Sequence, residues 1–410
     1  MASDEGGTEP ADVLVVGGGP AGSVAALTLA RAGRRVVLID KARFPRPKTC
    51  GDGLTTGALR LLDEIGFDPS VVSSWNPVDS FVLTAPSGSR YTFPLERPGL
   101  HAVVARRQEL DHSLLRMAIE AGVEVQEGTA LADARQTDDQ VVVSTNDDRE
   151  LTARFVVGAD GMWSPLRKAL GVAAPGYRGE WHAFRQYVGN VTGPAAHELQ
   201  VVFDRRILPG YFWAFPLADG RANIGFGIRR GGSVAIAAMK QLWPALLTDP
   251  AISELLGPDI KPEATQRAWP IPARVGRTPL HSGRALFVGD AAAVTDPLTG
   301  EGIAQAMLTG QWAAEAIAMG PANPAGVAQH YQETVERNLV ADHRMAAALS
   351  RAIGTRVGAE WSIRLAGSSA WSRRNFARWL FEDYPRAILV TPRRWHRGVF
   401  DRPGGFAAPS

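Results

Sequence analysis

At 410 residues the chain exceeds what one ordinary hydrophobic core accommodates, so two or three domains are expected. Its 45% hydrophobic and 21% charged residues describe a globular protein, and the formal net charge is only +2. A single cysteine excludes a disulfide framework and, with eight scattered histidines, a zinc-ligand spacing; it points to a reducing, cytosolic setting.

The first ten residues, Met1 to Pro10, are acidic and polar, unlike a signal or transit peptide. No apolar run approaches the ~18–20 residues of a membrane-spanning helix. The expectation is a cytoplasmic protein that at most rests on a membrane surface.

Asp12-Val-Leu-Val-Val16 is a short apolar run entering Gly17-Gly-Gly19-Pro-Ala-Gly22. A helical pattern follows to Ala32 and stops at Gly33, and Arg35 to Ile39 reads as a second buried strand ending at Asp40. Next comes Lys48-Thr-Cys50-Gly51-Asp52-Gly53, whose composition describes a tight polar loop. A free cysteine is usually a small core residue; on a glycine-rich loop one βαβ unit after a nucleotide signature it is a chemical candidate. Lys48 either lowers the Cys50 thiol pKa or is simply solvated. Asp52 is read as shaping the turn.

Thr55 to Ile65 looks helical, and Phe81 to Phe93 alternates across a Ser87-Gly88-Ser89 turn. Arg107 to Ala121 reads as a helix leading into the strand Val123 to Val125. Gln140 to Ser144 and Glu150 to Val157 form a hairpin, and Trp181 to Ile228 suggests an antiparallel sheet. Ala285 to Val288 is a buried strand before a helix that begins near Gly302. The chain is mainly helical from Pro324. Between Arg344 and Arg402, twelve Arg and no Lys stand against four acids, interleaved with Trp361, Trp371, Trp379 and Trp395. That pattern suits either a solvated helical region or an anionic membrane surface; no nucleic-acid module accompanies it.

Gly17-x-Gly19-x-x-Gly22 between a strand and a helix is a dinucleotide signature. The first glycine permits the turn, the second admits a pyrophosphate to the backbone, and the third lets helix and sheet pack. Asp40, eighteen positions after Gly22, is placed to accept from adenosine ribose hydroxyls and disfavours a 2′-phosphate.

With Gly158-Ala-Asp160-Gly161, Gly289-Asp290 and Pro297-Leu-Thr-Gly300-Glu301-Gly302, the sequence resembles FAD-dependent oxidoreductases of aromatic-hydroxylase-like fold. The resemblance implies an α/β fold: a Rossmann-like FAD-binding domain over 10–75, 100–172 and 273–330, an antiparallel substrate domain over 76–99 and 173–272, and a helical region over 331–410. It implies that Asp160 and Gly161 lie near the pyrophosphate, Gly289 and Asp290 by the ribityl chain, and Pro297, Gly300, Gly302 and Ile303 against the isoalloxazine. Arg107, in Arg-x-x-Leu-Asp111, matches an arginine near the flavin. Ala21, Lys41, Cys50 and Gly51 complete the expected cofactor-binding set. No second G-x-G-x-x-G occurs, so NAD(P)H visiting transiently or a protein donor is expected to supply electrons.

Within that superfamily, Lys48-x-Cys50-Gly51-Asp52-Gly53 and Tyr211-Phe-Trp213-Ala-Phe215-Pro216 resemble the geranylgeranyl reductase family. The resemblance implies saturation of isolated C=C bonds in a hydrophobic isoprenoid substrate, with Cys50, Tyr211 and Trp213 as catalytic candidates. Aromatic faces can stabilise cationic character on an alkene by about 0.5–2 kcal/mol. Tyr211 and Trp213 also suit an ordinary sheet core. Cys50 is read as a proton donor or a modulator of the flavin. The alternative is an FAD monooxygenase acting on an aromatic or polyketide-like substrate. Halogenation is disfavoured, because flavin halogenases carry Gly-Glu-Ser and Trp-x-Trp-x-Ile-Pro at the corresponding places.

Overall fold

The strand β1 (Ala11–Val16) is buried along almost its whole length, as apolar side chains on both faces require of a strand with helices on either side. It leads through the glycine turn into α1 (Pro20–Arg31) and then β2 (Val36–Asp40), which lies parallel to β1 with Val13 opposite Val36. In this computed structural model, residues 11–95, 98–320, 323–395 and 402–407 are described. The acidic segment Met1 to Pro10 and residues 396–401 of the arginine-rich stretch lie outside them.

The chain next runs through the Cys50 loop into β3 (Gly53–Thr55) and α2 (Thr56–Glu64), whose N-cap is the Thr55 hydroxyl. β4 (Ser80–Thr84) and β5 (Arg90–Pro94) form the expected hairpin, and β6 (Ala102–Val104) pairs back with β3. Then α3 (Arg107–Glu120), β7 (Glu124–Glu127), β8 (Leu131–Gln136), β9 (Val141–Thr145) and β10 (Glu150–Gly158) follow.

A second sheet takes β4 and β5 together with β11 (Trp181–Gly189), β12 (Leu199–Val202), β13 (Phe212–Leu217), β14 (Arg221–Arg229) and β15 (Arg267–Ile271). It is antiparallel as expected, apart from the parallel pair β12–β4, where Leu199 faces Phe81. β16 (Ala285–Phe287) returns to the first sheet, giving the parallel order β16, β10, β1, β2, β7. α4 (Ile303–Met319) packs along α1. The small sheet of β3, β6 and Asn76–Pro77 escapes sequence reading because strands of two or three residues show no periodicity.

The C-terminal helices α5 (Arg356–Gly367) and α6 (Ala370–Leu380) cover the second sheet. Ile363, Ala366, Ala377 and Phe381 join Phe81, Phe93, Trp213 and Phe215 in one apolar cluster. Gly367 is obligatory for that approach, since a Cβ there would sit 2.2 Å from the Tyr91 ring. Beyond α6, the fully buried Asp383 carboxylate binds both Arg60 of α2 and Arg378 of α6. Asp383→Ala leaves two largely buried guanidinium groups without their counter-charge. It is expected to cost about 3 kcal/mol, read as a lowered thermal unfolding midpoint against the unsubstituted protein.

Candidate active site

A cavity of about 670 Å³ runs from the carboxyl ends of β1 and β2 to the face of the second sheet. At its nucleotide end Gly17 has φ +107°, and a Cβ there would lie 2.4 Å from the Ala159 carbonyl oxygen. Gly22 does not line the cavity: a Cβ on it would fall 1.8 Å from the Gly17 carbonyl oxygen, so it serves helix–strand packing. The Asp40 carboxylate accepts from the Gly18 and Ala42 amides, at 2.8 Å each, while lining the cavity beside Lys41.

Arg46, not singled out in the sequence, pairs with Asp111 at 3.2 Å and lies over Phe44. Its guanidinium is the nearest group to the space beside Gly19, at the N-terminus of α1. A cation and a helix N-terminus meeting there make an anion cradle. Asp160 accepts from the Leu166 amide at 2.9 Å, and burial pushes its carboxyl up to about 6. Gly161 lies beside it with φ +80°.

Midway along the cavity, Gly289 lies against Ala21, and Asp290 faces Lys48 at 3.9 Å. Lys48 also sits over the Trp269 ring, 4.2 Å from its centroid. Burial lowers the lysine pKa, with Asp290 opposing. The structure thus turns Lys48 to Asp290 and Trp269, and the positive neighbour of the thiol is Arg107.

At the far end Cys50 is half-buried in a bend, and the chain enters β3 at Gly53. Burial pushes the thiol pKa up, against the Arg107 charge, so the thiol keeps its proton near neutral pH. Arg107 holds Asp111 through two bonds of 2.6 and 2.9 Å; burial disfavours its charge, and Asp111 together with Cys50 outweighs that.

Asp52 does far more than shape a turn. Fully buried at φ +67°, it accepts from Tyr187 Oη at 2.6 Å, Asn223 Nδ2 at 2.7 Å and the Arg107 amide at 3.3 Å.

Tyr211, Trp213 and Phe215 share one face leading into and along β13, with successive ring centroids 6.2 and 6.3 Å apart. All three line the cavity with Cys50 and Gly51. Phe215 lies so near Gly51 and Gly53 that a Cβ on them would meet its ring at 3.4 and 3.2 Å. Trp213 Nε1 donates to Asn223 Oδ1 at 3.2 Å, while Asn223 Nδ2 donates to the Cys50 carbonyl at 2.8 Å. The Tyr211 hydroxyl donates to the Thr299 carbonyl.

Gly300, Gly302 and Ile303 line the same end, whereas Pro297 does not. Glu301 lines it too, and no hydrogen bond from a described residue reaches its carboxyl. Burial and the nearby Glu382 and Asp296 charges push it up to about 8. Glu301 stood in plain view within a quoted motif; its signal was an acid between two glycines of a flavin-facing turn. Arg386, which pairs with Asp296 at 2.6 Å, lies in no motif.

The FAD binding domain family matches residues 10–348. Digeranylgeranylglycerophospholipid reductase 2 of Methanopyrus kandleri is 34% identical over 319 residues, covering 75% of this chain and 76% of that relative. The chain belongs to the geranylgeranyl reductase family of FAD-dependent oxidoreductases. The menaquinone reductase of Mycolicibacterium smegmatis is 33% identical to this reductase over 342 residues, 76% of this chain and 77% of that one. In fold this chain is similar to a geranylgeranyl bacteriochlorophyll reductase-like protein from Thermoplasma acidophilum, with TM-score 0.77 and 23% identity, over 94% of this chain and 100% of that one. A point mutant of the halogenase PltM in complex with FAD shares the fold at TM-score 0.69 and 19% identity, over 94% of this chain and 84% of that one.

FAD is the cofactor of this reductase, and the residues present fit it. The glycine cradle with Asp40 and Arg46 suits the adenosine and pyrophosphate. Arg185 and Trp269 line the cavity, and their Nε and Nε1 donors are buried without a hydrogen-bond partner among the described residues. Arg46→Ala removes a charged donor from the anion cradle. The expected loss is about tenfold to a hundredfold in FAD affinity, measured by titrating the deflavinated reductase with FAD and following flavin fluorescence.

Proposed function

We propose that the reductase saturates isolated carbon–carbon double bonds in a prenyl chain carried by a lipid or a quinone. The observation that carries this reading is one cavity holding the FAD-binding turn, the Cys50 thiol and the Tyr211, Trp213 and Phe215 row. The names of the relatives, reductases of a digeranylgeranyl lipid and of menaquinone, support it.

Reduced FAD, when bound, supplies hydride to one alkene carbon. The other carbon needs a proton and, before it arrives, an environment that tolerates positive character. The aromatic row supplies that environment, since ring faces attract cations and exclude water. Tyr211 and Trp213 have their polar hydrogens engaged by Thr299 and Asn223, which fixes their rings.

Besides the Tyr211 hydroxyl, which is committed to Thr299, the Cys50 thiol and the Glu301 carboxyl of the cavity hold a proton near neutral pH. Cys50 is the proposed donor to the alkene, and Glu301 restores its proton. Electrons enter from NAD(P)H visiting transiently or from a protein donor.

The test is to reduce the holoenzyme with dithionite without oxygen and add a geranylgeranyl-bearing phospholipid or a prenyl quinone. Flavin reoxidation with a mass gain of two hydrogens per double bond is expected. Reoxidation by oxygen alone, with a hydroxylated product, would overturn the reading.

Cys50→Ala is expected to keep its FAD and lose about a hundredfold in the reduction rate, the scale of general acid catalysis. An unchanged rate would remove Cys50 from the chemistry.

Glu301 carries its proton below about pH 8 and loses it above. The reduction rate is therefore expected to fall as pH rises through about 8, and that alkaline limb should vanish in Glu301→Gln at a lower plateau. Steady-state rates across pH, which require the Cys50 proton to be restored in every cycle, decide it.

A further inference from the structure

The helices over the second sheet have two unlike faces. α5 turns Ala359, Ile363, Ala366 and Gly367 inward, where Ile363 and Ala366 join the cluster of Trp213 and Phe215. Outward, at helical spacing, stand Val357 (67% exposed), Trp361 (64%) and Leu365 (73%), and Trp371 at the start of α6 is 75% exposed. A soluble helix ordinarily carries polar residues on its outer face, so this apolar ridge is unpartnered.

The charge around the ridge is predominantly positive. From Arg356 to Leu380 the sequence carries five arginines, of which Arg378 is paired with Asp383, and one acid, Glu360. That acid is already engaged, accepting from the Ser87 amide at 3.0 Å and the Ser87 hydroxyl at 2.8 Å. Arg364 lies over the Trp361 ring, 5.3 Å from its centroid, so cation and aromatic face the same side. Exposed tryptophan and leucine ringed by arginine match the acyl–headgroup boundary of an anionic bilayer in both polarity and charge. No helix among the described residues is long and apolar enough to cross a membrane, so contact through this ridge is lateral.

We propose that the outer face of α5 and the start of α6 dock the protein on an anionic phospholipid bilayer. Val357, Trp361 and Leu365 enter the boundary region, and Arg364 with its neighbouring arginines meets the headgroups. The inner faces of the same helices border the aromatic row of the cavity, so a membrane-borne chain would be presented close to where it reacts.

The test does not depend on turnover. FAD-loaded full-length protein is sedimented with phosphatidylcholine vesicles, with or without phosphatidylglycerol, across a salt series. Binding is expected only with the anionic lipid and should weaken with salt. The triple variant Val357→Ser, Trp361→Ser, Leu365→Ser alters exposed side chains only, and its flavin absorbance and melting curve check the fold. It should bind at least tenfold more weakly, and Arg364→Glu with Arg373→Glu should abolish the preference for anionic lipid.

Wild-type tryptophan fluorescence should also be quenched by brominated acyl chains, a readout independent of any variant. The proposal is overturned if wild type stays in the supernatant with anionic vesicles or escapes quenching. It is equally overturned if the triple variant binds undiminished, or only converts a dimer to monomers, which would make the ridge a contact between two copies of the chain.

Discussion

The flavin end of the cavity depends on how one buried carboxylate is satisfied. Asp52 sits at zero exposure in a left-handed conformation, where an unpaired charge would be severely destabilising. Its donors come from both halves of the fold: Tyr187 on β11 and Asn223 on β14 from the second sheet, and the Arg107 amide at the start of α3. The Cys50 loop is thereby stapled between the two sheets. Asn223 extends the staple to Trp213 and to the Cys50 carbonyl. One amide side chain therefore sets how far the thiol stands from the aromatic row.

The second organising feature is an excess of acids behind that row. Asp296, Glu301 and Glu382 share a small volume with Arg386, and like charges so close cannot all ionise. Burial raises Asp296, but Arg386 together with the Thr299 and Leu298 amides holds its carboxyl below the usual range. Glu382 accepts from the Thr55 hydroxyl at 2.8 Å and from Gln305. Burial raises Glu382 nonetheless. Glu301 accepts no hydrogen bond from a described residue, and the Arg386 and Arg107 charges do not offset its burial and its acidic neighbours, so it is held up to about 8. Its protonation follows from which neighbours claimed the available donors.

Much of this was legible in the sequence, for reasons that differ by residue. The glycine turn is legible because Gly17 and Gly22 answer backbone demands that few other residues meet, whereas the amide bonds of Asp40 to Gly18 and Ala42 show only in the fold. The aromatic row follows from the family resemblance, since a spacing of two sets Tyr211 and Trp213 on one strand face whether they line a cavity or fill a sheet core. Asp52 was underestimated because its donors, Tyr187 and Asn223, lie more than a hundred residues away. Arg46 and Arg386 were invisible for a related reason: a charge acquires a role only from what the fold sets beside it. Arg386 is also far from every motif, in a stretch that composition alone leaves ambiguous. The reading of Lys48 failed on direction, since proximity in sequence to Cys50 says nothing about where a long side chain points.

The pairing of Arg386 with Asp296 has a consequence for how the two ends of the cavity come apart. The groups that line the nucleotide end bond chiefly among themselves, Asp40 to the Gly18 and Ala42 amides and Arg46 to Asp111. The turn from Asp296 to Gly302 is different, because the guanidinium that pins it arrives from the helical region, ninety residues further along the chain. Loosening of that region therefore opens the wall beside Glu301 while the bonds of the nucleotide end stay made.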